Sequence, residues 1–348
     1  MTRIAVIGHF GGKEIFLDGQ TVKTKILYSE LANVQKFKIT KVDTFFKNKH
    51  PLRLLLSTIW TLLTIKRIVV LLSGNGMKFY FPLLYFFAKI RRSVIYHDVI
   101  GGNLDKYVER NPNFKKYLLS FKVNWVETEG LKNKLIALGL TNCAVIPNFK
   151  RLPILDENDV STFETNGEYR FCIFSRVMKE KGVDCAVEAI ARINSEFPDK
   201  KCFLDIYGAV DAGYKEPFDS LLKKNTEYVR YGGCIPFDEC VNVLKKYYAL
   251  LFPTYWMGEG FPGTIVDAFS SGVPVIASRW GFNEELVVQY ETGLLFPVHD
   301  QNALDGCIRW VLAHEKKMLS MRKNCIEKAR LYTPDPYMPI ITKSLMDG

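Results

Sequence analysis

The sequence predicts an α/β protein made of two doubly wound domains, each with a parallel sheet. Three observations carry that expectation. Short β-branched runs alternate with longer helical patterns, the order that gives parallel strands joined by crossover helices. The alternation stops once, at the polar and acidic stretch RLPILDENDVSTFETNGEY, and then restarts, which marks a linker. A chain of 348 residues also exceeds what one ordinary core holds.

In the first half RIAVIGHF, KFKITKVDTF, RIVVLLSG, SVIYHDVIGG, VNWVETE and AVIPNF read as strands. Between them QTVKTKILYSELANV, PLRLLLSTIWTLLTI, KFYFPLLYFFAKI, KYLLSF and LKNKLIAL carry the helical period. After the linker the strands are RFCIFSRV, CFLDIYG, YVRYGG, YALLFPT and VPVIAS. The helices there are VDCAVEAIARINSEF, FDSLLKK, FDECVNVLKKY and one long final helix, ALDGCIRWVLAHEKKMLSMRKNCIEKARLY. The expected organisation is a first domain over 1–155, a second over 156–332, and a proline-rich tail, 333–348, returning to the first domain.

Composition narrows the class. Hydrophobic residues make up 48% and charged residues 24%, the balance of a folded globular chain. The opening MTRIAVIGHF reads as a strand running into a glycine turn, not as a secretion signal. No run reaches the roughly 18 apolar residues of a spanning helix; PLRLLLSTIWTLLTI is interrupted by Arg53 and stopped by Lys66 and Arg67. The eight cysteines form no CxxC pair, so reduced thiols in a cytoplasmic protein are expected. No metal-ligand spacing occurs among the five histidines.

Charge is unevenly placed. Residues 1–150 hold 24 of the 47 Lys and Arg but only 9 of the 37 Asp and Glu, a balance of +15, whereas residues 151–348 carry −5. A basic half implies an anionic partner. The helix 51–65 lines up Arg53, Ser57, Thr61 and Thr64 on one stripe, and GMKFYFPLLYFFAKIRR sets six aromatic residues between Lys78 and the cations Lys89, Arg91 and Arg92. Aromatic residues beside cations suit an anionic membrane interface. The plain alternative is a pair of core-facing helices; the combined expectation is packing on the sheet with one basic, aromatic edge exposed. No nucleic-acid-binding motif occurs, so nucleic acid is not the expected anion.

Three stretches could carry chemistry. GHFGGKE after the first strand offers Gly8, Gly11 and Gly12 for close approach of a phosphate or sugar, or serves as a plain turn. It is not GxGxxG, which disfavours a nicotinamide-dependent dehydrogenase. In FSRVMKEKG, Arg176 and Lys181 flank the end of an apolar strand and could hold a diphosphate without metal, neutralising charge as it leaves. Solvated surface cations are the alternative, and the natural reading for Lys179. In YALLFPTYWMGEGFPGTIVDAFSSGVPVIAS a buried strand ends at Pro253, a glycine loop follows, and a helix starts near Gly263. That break lets Glu259 and Asp267 bracket the turn, with helix amides for an anion and carboxylates for sugar hydroxyls. Asp267 alone could simply complement the helix dipole; Glu259 has no such explanation.

SRVMKEKG, GEGFPGTIVDAFSSGVPVIAS and GFNEELVVQYETGLLFPVHD together resemble the retaining nucleotide-sugar glycosyltransferases of family 4, over about 170–330. In the first half only GG at 11–12, HD at 97–98 and IPN at 146–148 add to the likeness. The resemblance implies the GT-B fold, two Rossmann-like domains facing a central cleft. It implies a metal-independent, retaining hexosyltransferase moving a sugar from a UDP or GDP donor to a glycan or lipid-pyrophosphate-linked acceptor. The setting would be capsule, exopolysaccharide or O-antigen synthesis, on the inner face of the cell membrane. By the same likeness Arg176 and Lys181 hold the diphosphate, Glu259 lies near the sugar and Asp267 near the ribose. Gly260, Phe261 and Gly263 present amides, Gly11 and Gly12 approach the donor, and Cys234 and Ile235 lie where the base rests. His97 falls at an active-site histidine, and Arg53, Lys66, Arg67, Lys89, Arg91 and Arg92 are membrane or acceptor candidates. Two features depart from the pattern: the second acid is Asp rather than Glu, and Pro262 removes one amide from the loop. A nucleotide-sugar 2-epimerase and a non-catalytic sugar-nucleotide or lipid-binding module stand as the alternatives, and the intact set of Arg176, Lys181 and Glu259 argues against the second.

Overall fold

The computed structural model describes residues 1–14, 18–161, 165, 167–197, 199 and 201–347. The chain divides into two compact units, Met1–Arg151 with Thr333–Gly348, and Leu152–Tyr332. Of the expected linker, residues 162–164 and 166 lie outside the described residues.

The first unit holds β1 (Thr2–Gly8), β2 (Phe37–Asp43), β3 (Arg67–Leu71), β4 (Val94–Asp98), β5 (Val123–Val126) and β6 (Cys143–Val145). All pair in parallel in the order β2-β1-β3-β4-β5-β6. Its helices are α1 (Gly19–Ala32), α2 (Pro51–Thr64), α3 (Gly74–Arg91), α4 (Leu104–Arg110), α5 (Pro112–Leu119) and α6 (Glu129–Ala137). Strands buried on both faces read as continuous apolar runs, and Ile4, Ala5, Val6 and Ile7 of β1 are all fully buried. Helix starts follow local chemistry. Asp18 accepts from the Thr21 amide at 3.0 Å to open α1, Pro51 occupies the first turn of α2, and Thr128 accepts from the Leu131 amide at 3.2 Å to open α6.

The second unit begins with α7 (Glu157–Ser161) and holds β7 (Glu168–Phe174), α8 (Val183–Glu196), β8 (Lys201–Tyr207), α9 (Lys215–Lys224), β9 (Val229–Gly233), α10 (Cys240–Leu244) and β10 (Ala249–Phe252). It continues through α11 (Gly263–Ser270), β11 (Val275–Ser278), α12 (Asn283–Leu286), β12 (Gly293–Phe296), α13 (Gln301–Ala313) and α14 (Glu315–Arg330). The parallel order is β12-β11-β10-β7-β8-β9. Strand order therefore reverses between β7 and β10, a switch point where crossover helices leave on opposite faces and a crevice opens beyond the strand ends.

Three expectations are corrected. The final helix is two helices: the chain breaks at His314, whose ring stacks on Trp310 at 4.3 Å while Glu315 turns to the Tyr169 hydroxyl. GLLF at 293–296, not expected as a strand, is the sheet edge β12. The proline-rich tail contains α15 (Met338–Met346), whose Ile341 and Leu345 are buried in the first unit's core with Leu27, Tyr96 and Trp125.

Candidate functional site

In the second unit the strand ends at the switch point bring two loops together. The turn after β7 carries Arg176 and Lys181, and the loop after β10 carries Thr254 to Pro262. Their approach is close: a Cβ on Gly182, at φ +72°, would lie 2.3 Å from the Pro253 carbonyl oxygen. The Tyr255 amide donates to the Glu180 carbonyl at 2.8 Å, fixing one loop on the other. A Cβ on Gly208, at φ +133°, would lie 1.9 Å from the Ser175 carbonyl oxygen, so the end of β8 presses on the same turn.

Within that frame Lys181 and Glu259 form a buried ion pair, Nζ to Oε2 at 2.5 Å. The Thr254 hydroxyl donates to the same carboxylate oxygen at 2.9 Å. Aromatic rings flank the ammonium, with centroids at 5.3 Å for Phe252 and 4.9 Å for Trp256. The Trp280 indole N–H donates to the Trp256 carbonyl at 2.7 Å and holds that loop from the other side. A desolvated charge pair is stable only with such added hydrogen bonds, and Thr254 supplies one. Arg176 differs from Lys181: it is exposed just past β7, and among the described residues its guanidinium has no carboxylate partner. A buried, committed cation and an open one thus stand at the same rim.

Of the remaining expected residues of this unit, Gly260, Phe261, Gly263 and Asp267 lie on the loop after β10 or in α11, whereas Cys234 and Ile235 do not. Helix α11 starts at Gly263, so Glu259 lies on the loop and Asp267 in the second turn, as the glycine break implies. The Thr264 hydroxyl donates to the Phe174 carbonyl at 2.5 Å, seating that first turn on the end of β7. Gly260 is buried, and the Phe261 ring packs edge-on to Tyr332 at 5.3 Å, so its side chain serves the core. Asp267 is buried. Cys234 is exposed and Ile235 half-buried just beyond β9, at the opposite sheet edge from β12.

The first-unit residues fare differently. Asp43 shapes the glycine loop: its carboxylate accepts from the amides of Phe10 at 2.9 Å and Gly12 at 3.0 Å. The Gly12 amide is thereby already occupied, and the Gly11 carbonyl accepts from the Glu14 amide at 2.9 Å. His97 does not line an open face. Its ring is fully buried between Phe81 and Phe121, with Nδ1 3.1 Å from Asn124 Oδ1. Burial lowers its pKa to about 4, only partly offset by the Asn124 hydrogen bond, so it is a neutral core imidazole. Its neighbour Asp98 faces a cluster the sequence did not flag. Lys23 Nζ lies 2.7 Å from Asp98 Oδ1 and 2.9 Å from Glu127 Oε1, and donates to the Val99 carbonyl at 2.7 Å. Burial raises Asp98 to about 6 against the pull of Lys23.

Of the surface cations, Arg53, Lys66, Lys89, Arg91 and Arg92 are exposed. Arg67 is not one of that group: it is half-buried on β3 and donates to the Met346 carbonyl at 3.3 Å, at the C-terminal end of α15.

Thr254 and Trp256 were not legible as site residues, because neither belongs to a charged pattern; only their place before GEG in the loop marks them. The pattern formed by this unit has recognisable relatives. A profile of the family described as glycosyl transferases group 1 matches residues 156–332, half of the chain and nearly all of the second unit. The chain belongs to the group 1 glycosyl transferases.

Group 1 relatives match over about half of this chain or less. An uncharacterised glycosyltransferase of Methanocaldococcus jannaschii is 28% identical over 189 residues, 53% of this chain and 51% of that protein. A lipopolysaccharide core biosynthesis mannosyltransferase of Rhizobium meliloti is 33% identical over 139 residues, 38% of each chain. The matched stretches thus span about half or less of these curated relatives. Among solved structures, Anabaena HepE in complex with UDP superposes with a TM-score of 0.73 over all of both chains, at 14% identity. Sucrose-phosphate synthase from Thermosynechococcus elongatus does so with a TM-score of 0.77, again over all of both chains, at 17% identity. At such identities the likeness of this group 1 chain to solved structures is one of fold, GT-B.

Proposed function

We propose that this chain is a retaining glycosyltransferase of family 4. It transfers a hexose from a UDP or GDP donor to a hydroxyl of a glycan or lipid-pyrophosphate-linked oligosaccharide, in capsule, exopolysaccharide or O-antigen assembly. The observation that carries the reading is the buried Lys181–Glu259 pair beside the exposed Arg176, at the switch point of a parallel sheet. The mannosyltransferase relative named for lipopolysaccharide core biosynthesis, and neighbours solved with UDP and with UDP-glucose, support the donor class and the setting.

The diphosphate brings negative charge to the rim and competes with Glu259 for the Lys181 ammonium. Arg176 is the second cation, and the N-terminal turn of α11 offers positive partial charge. Glu259, released from Lys181, accepts from sugar hydroxyls, and Asp267 lies toward the ribose. Cys234 and Ile235 form the edge for the base. In the transfer step the bond between the anomeric carbon and the diphosphate oxygen breaks, and the acceptor oxygen bonds to that carbon on the same face. The acceptor proton passes to the departing phosphate. The protein's part is electrostatic: Arg176 and Lys181 stabilise the leaving charge without a divalent cation.

Acceptors carried on a lipid place the enzyme at the inner face of the cell membrane, with its basic first unit toward anionic headgroups. No helix among the described residues is long and apolar enough to cross a membrane.

The reading is tested by thermal shift with UDP, GDP and a panel of their sugars, together with donor turnover. One nucleoside diphosphate series is expected to raise the melting temperature by mass action. Arg176→Ala is expected to cut turnover by about a hundredfold or more, the scale of losing one charge-stabilising group. No shift with any nucleotide, or near-normal turnover in Arg176→Ala, overturns it.

A further inference from the structure

Helix α2 buries Leu62 but leaves much of its apolar surface uncovered. Thr58 and Thr61 are buried, while Leu52, Leu56, Trp60 and Leu63 are 74%, 68%, 69% and 42% exposed. Steps of four, four and three residues place these four on one helical face. Of the expected polar stripe, Arg53 and Ser57 face water, Thr64 is half-buried and Thr61 is buried. The buried threonines are satisfied internally: Thr61 donates to the Ser57 carbonyl at 2.8 Å, and Thr58 lies 3.4 Å from the Tyr80 hydroxyl of α3. Helix α3, packed beside α2, adds Phe79, Phe86 and Ile90, each more than half exposed. Scattered apolar side chains are ordinary on a surface, but seven large ones on two packed helices mark a binding surface.

Charge says what covers it. Between Asp43 and Asp98 the chain has nine Lys and Arg and no acidic residue. Arg53, Lys78, Lys89, Arg91 and Arg92 stand exposed on or at the end of these two helices. A second copy of this chain would bring two such cationic rims together, which like-charge repulsion opposes. An anionic bilayer offers both hydrocarbon for the leucines and aromatic rings and phosphates for the rim.

We infer that the α2–α3 face inserts into the headgroup–acyl boundary of an anionic membrane. Leu52, Leu56, Trp60, Leu63, Phe79 and Phe86 enter the boundary, and the flanking cations bind lipid phosphates. The inference rests on the reading of the enzyme as acting on a membrane-borne acceptor. It adds to that reading an apolar wedge, so that attachment has a salt-sensitive part and a part that salt does not remove.

The test uses the full-length protein with vesicles of mixed phosphatidylglycerol and phosphatidylcholine, and with phosphatidylcholine alone. Wild type is expected to co-sediment with the anionic vesicles and to keep a residual bound fraction at high salt. Leu56→Glu combined with Trp60→Glu is expected to weaken that binding at least about tenfold, from lost apolar transfer and added repulsion. Its melting temperature should not fall, since both side chains are already exposed. Brominated lipid should quench a part of the tryptophan emission that Trp60→Phe lacks. Wild-type binding undiminished in the double variant, or no quenching of Trp60, overturns the inference. So does a soluble dimer that ignores vesicles and is dispersed by the same substitutions, or selective capture of an acidic protein with no vesicle binding. Nucleotide binding measured without lipid separates the two readings: its absence with vesicle binding intact counts against glycosyl transfer alone.

Discussion

Lys181 Nζ and Glu259 Oε2 stand 2.5 Å apart in a buried pair that joins the turn after β7 to the loop after β10. Removing one partner leaves the other charged and desolvated. Lys181→Met and Glu259→Gln are each expected to cost about 3–5 kcal/mol of folding stability, and the double variant less than the sum. Urea unfolding of the three variants measures the coupling. Single costs within about 0.5 kcal/mol, typical of an exposed pair, would show that the carboxylate is hydrated in solution.

Gly182 admits no side chain. Its φ of +72° and the Pro253 carbonyl oxygen, 2.3 Å from any Cβ, combine strain with a backbone clash. Gly182→Ala is expected to destabilise by about 3 kcal/mol or more, and to abolish nucleotide binding even where it folds. Circular dichroism with nucleotide titration reads both effects. A folded variant that binds nucleotide normally sinks the requirement for this close approach.

Cys234 is exposed beyond β9, whereas burial raises the thiols of Cys143 and Cys307 to about 11. Since the thiolate is the reacting form, iodoacetamide is expected to label Cys234 first. If Cys234 and Ile235 border the base, bound nucleotide slows that labelling several-fold, as peptide mass mapping would report. Equal rates with and without saturating nucleotide would remove these two residues from the donor site.

His97 and Asp98 impose opposite pH dependences on the first unit. His97 titrates near 4 when folded against 6.5 when free, so the unfolded chain binds the extra proton and stability falls as pH drops from 6.5 toward 4. Asp98, raised to about 6 from 3.8, holds its proton in the folded state and loses stability as pH rises from 3.8 through 6. In wild type the two slopes largely offset between pH 4 and 6. His97→Gln removes one of them, so its stability relative to wild type is expected to improve by about 1.4 kcal/mol per unit as pH falls through that window. Denaturant titrations at several pH values test this; a constant difference between variant and wild type shows that His97 does not titrate as a buried neutral group.

The sheets were legible because strands buried on both faces write unbroken apolar runs, as in IAVI and ALLF. Helix α11 and its flanking acids were legible because glycine marked the break between Glu259 and Asp267. Other features depend on contacts distant in sequence. The pairing of Glu259 with Lys181 spans 78 residues, and the break at His314, beside the Glu315 contact with Tyr169, has no glycine or proline to mark it. Periodicity showed that α2 has two faces but not which one turns inward. His97 was singled out by the family likeness alone; that Phe81 and Phe121 enclose its ring depends on contacts the sequence does not display.

Helix α15 completes the first unit. Ile341 and Leu345 fill its core, and the Tyr96 hydroxyl donates to the Ser344 carbonyl at 2.8 Å. During synthesis on a ribosome, the segment that begins first must therefore wait for α15 before its interior can close, while the second unit, continuous from Leu152 to Tyr332, can finish earlier. The order of birth and the order of completion are reversed, and a chain cut short before α15 would carry a finished second unit and an open first one.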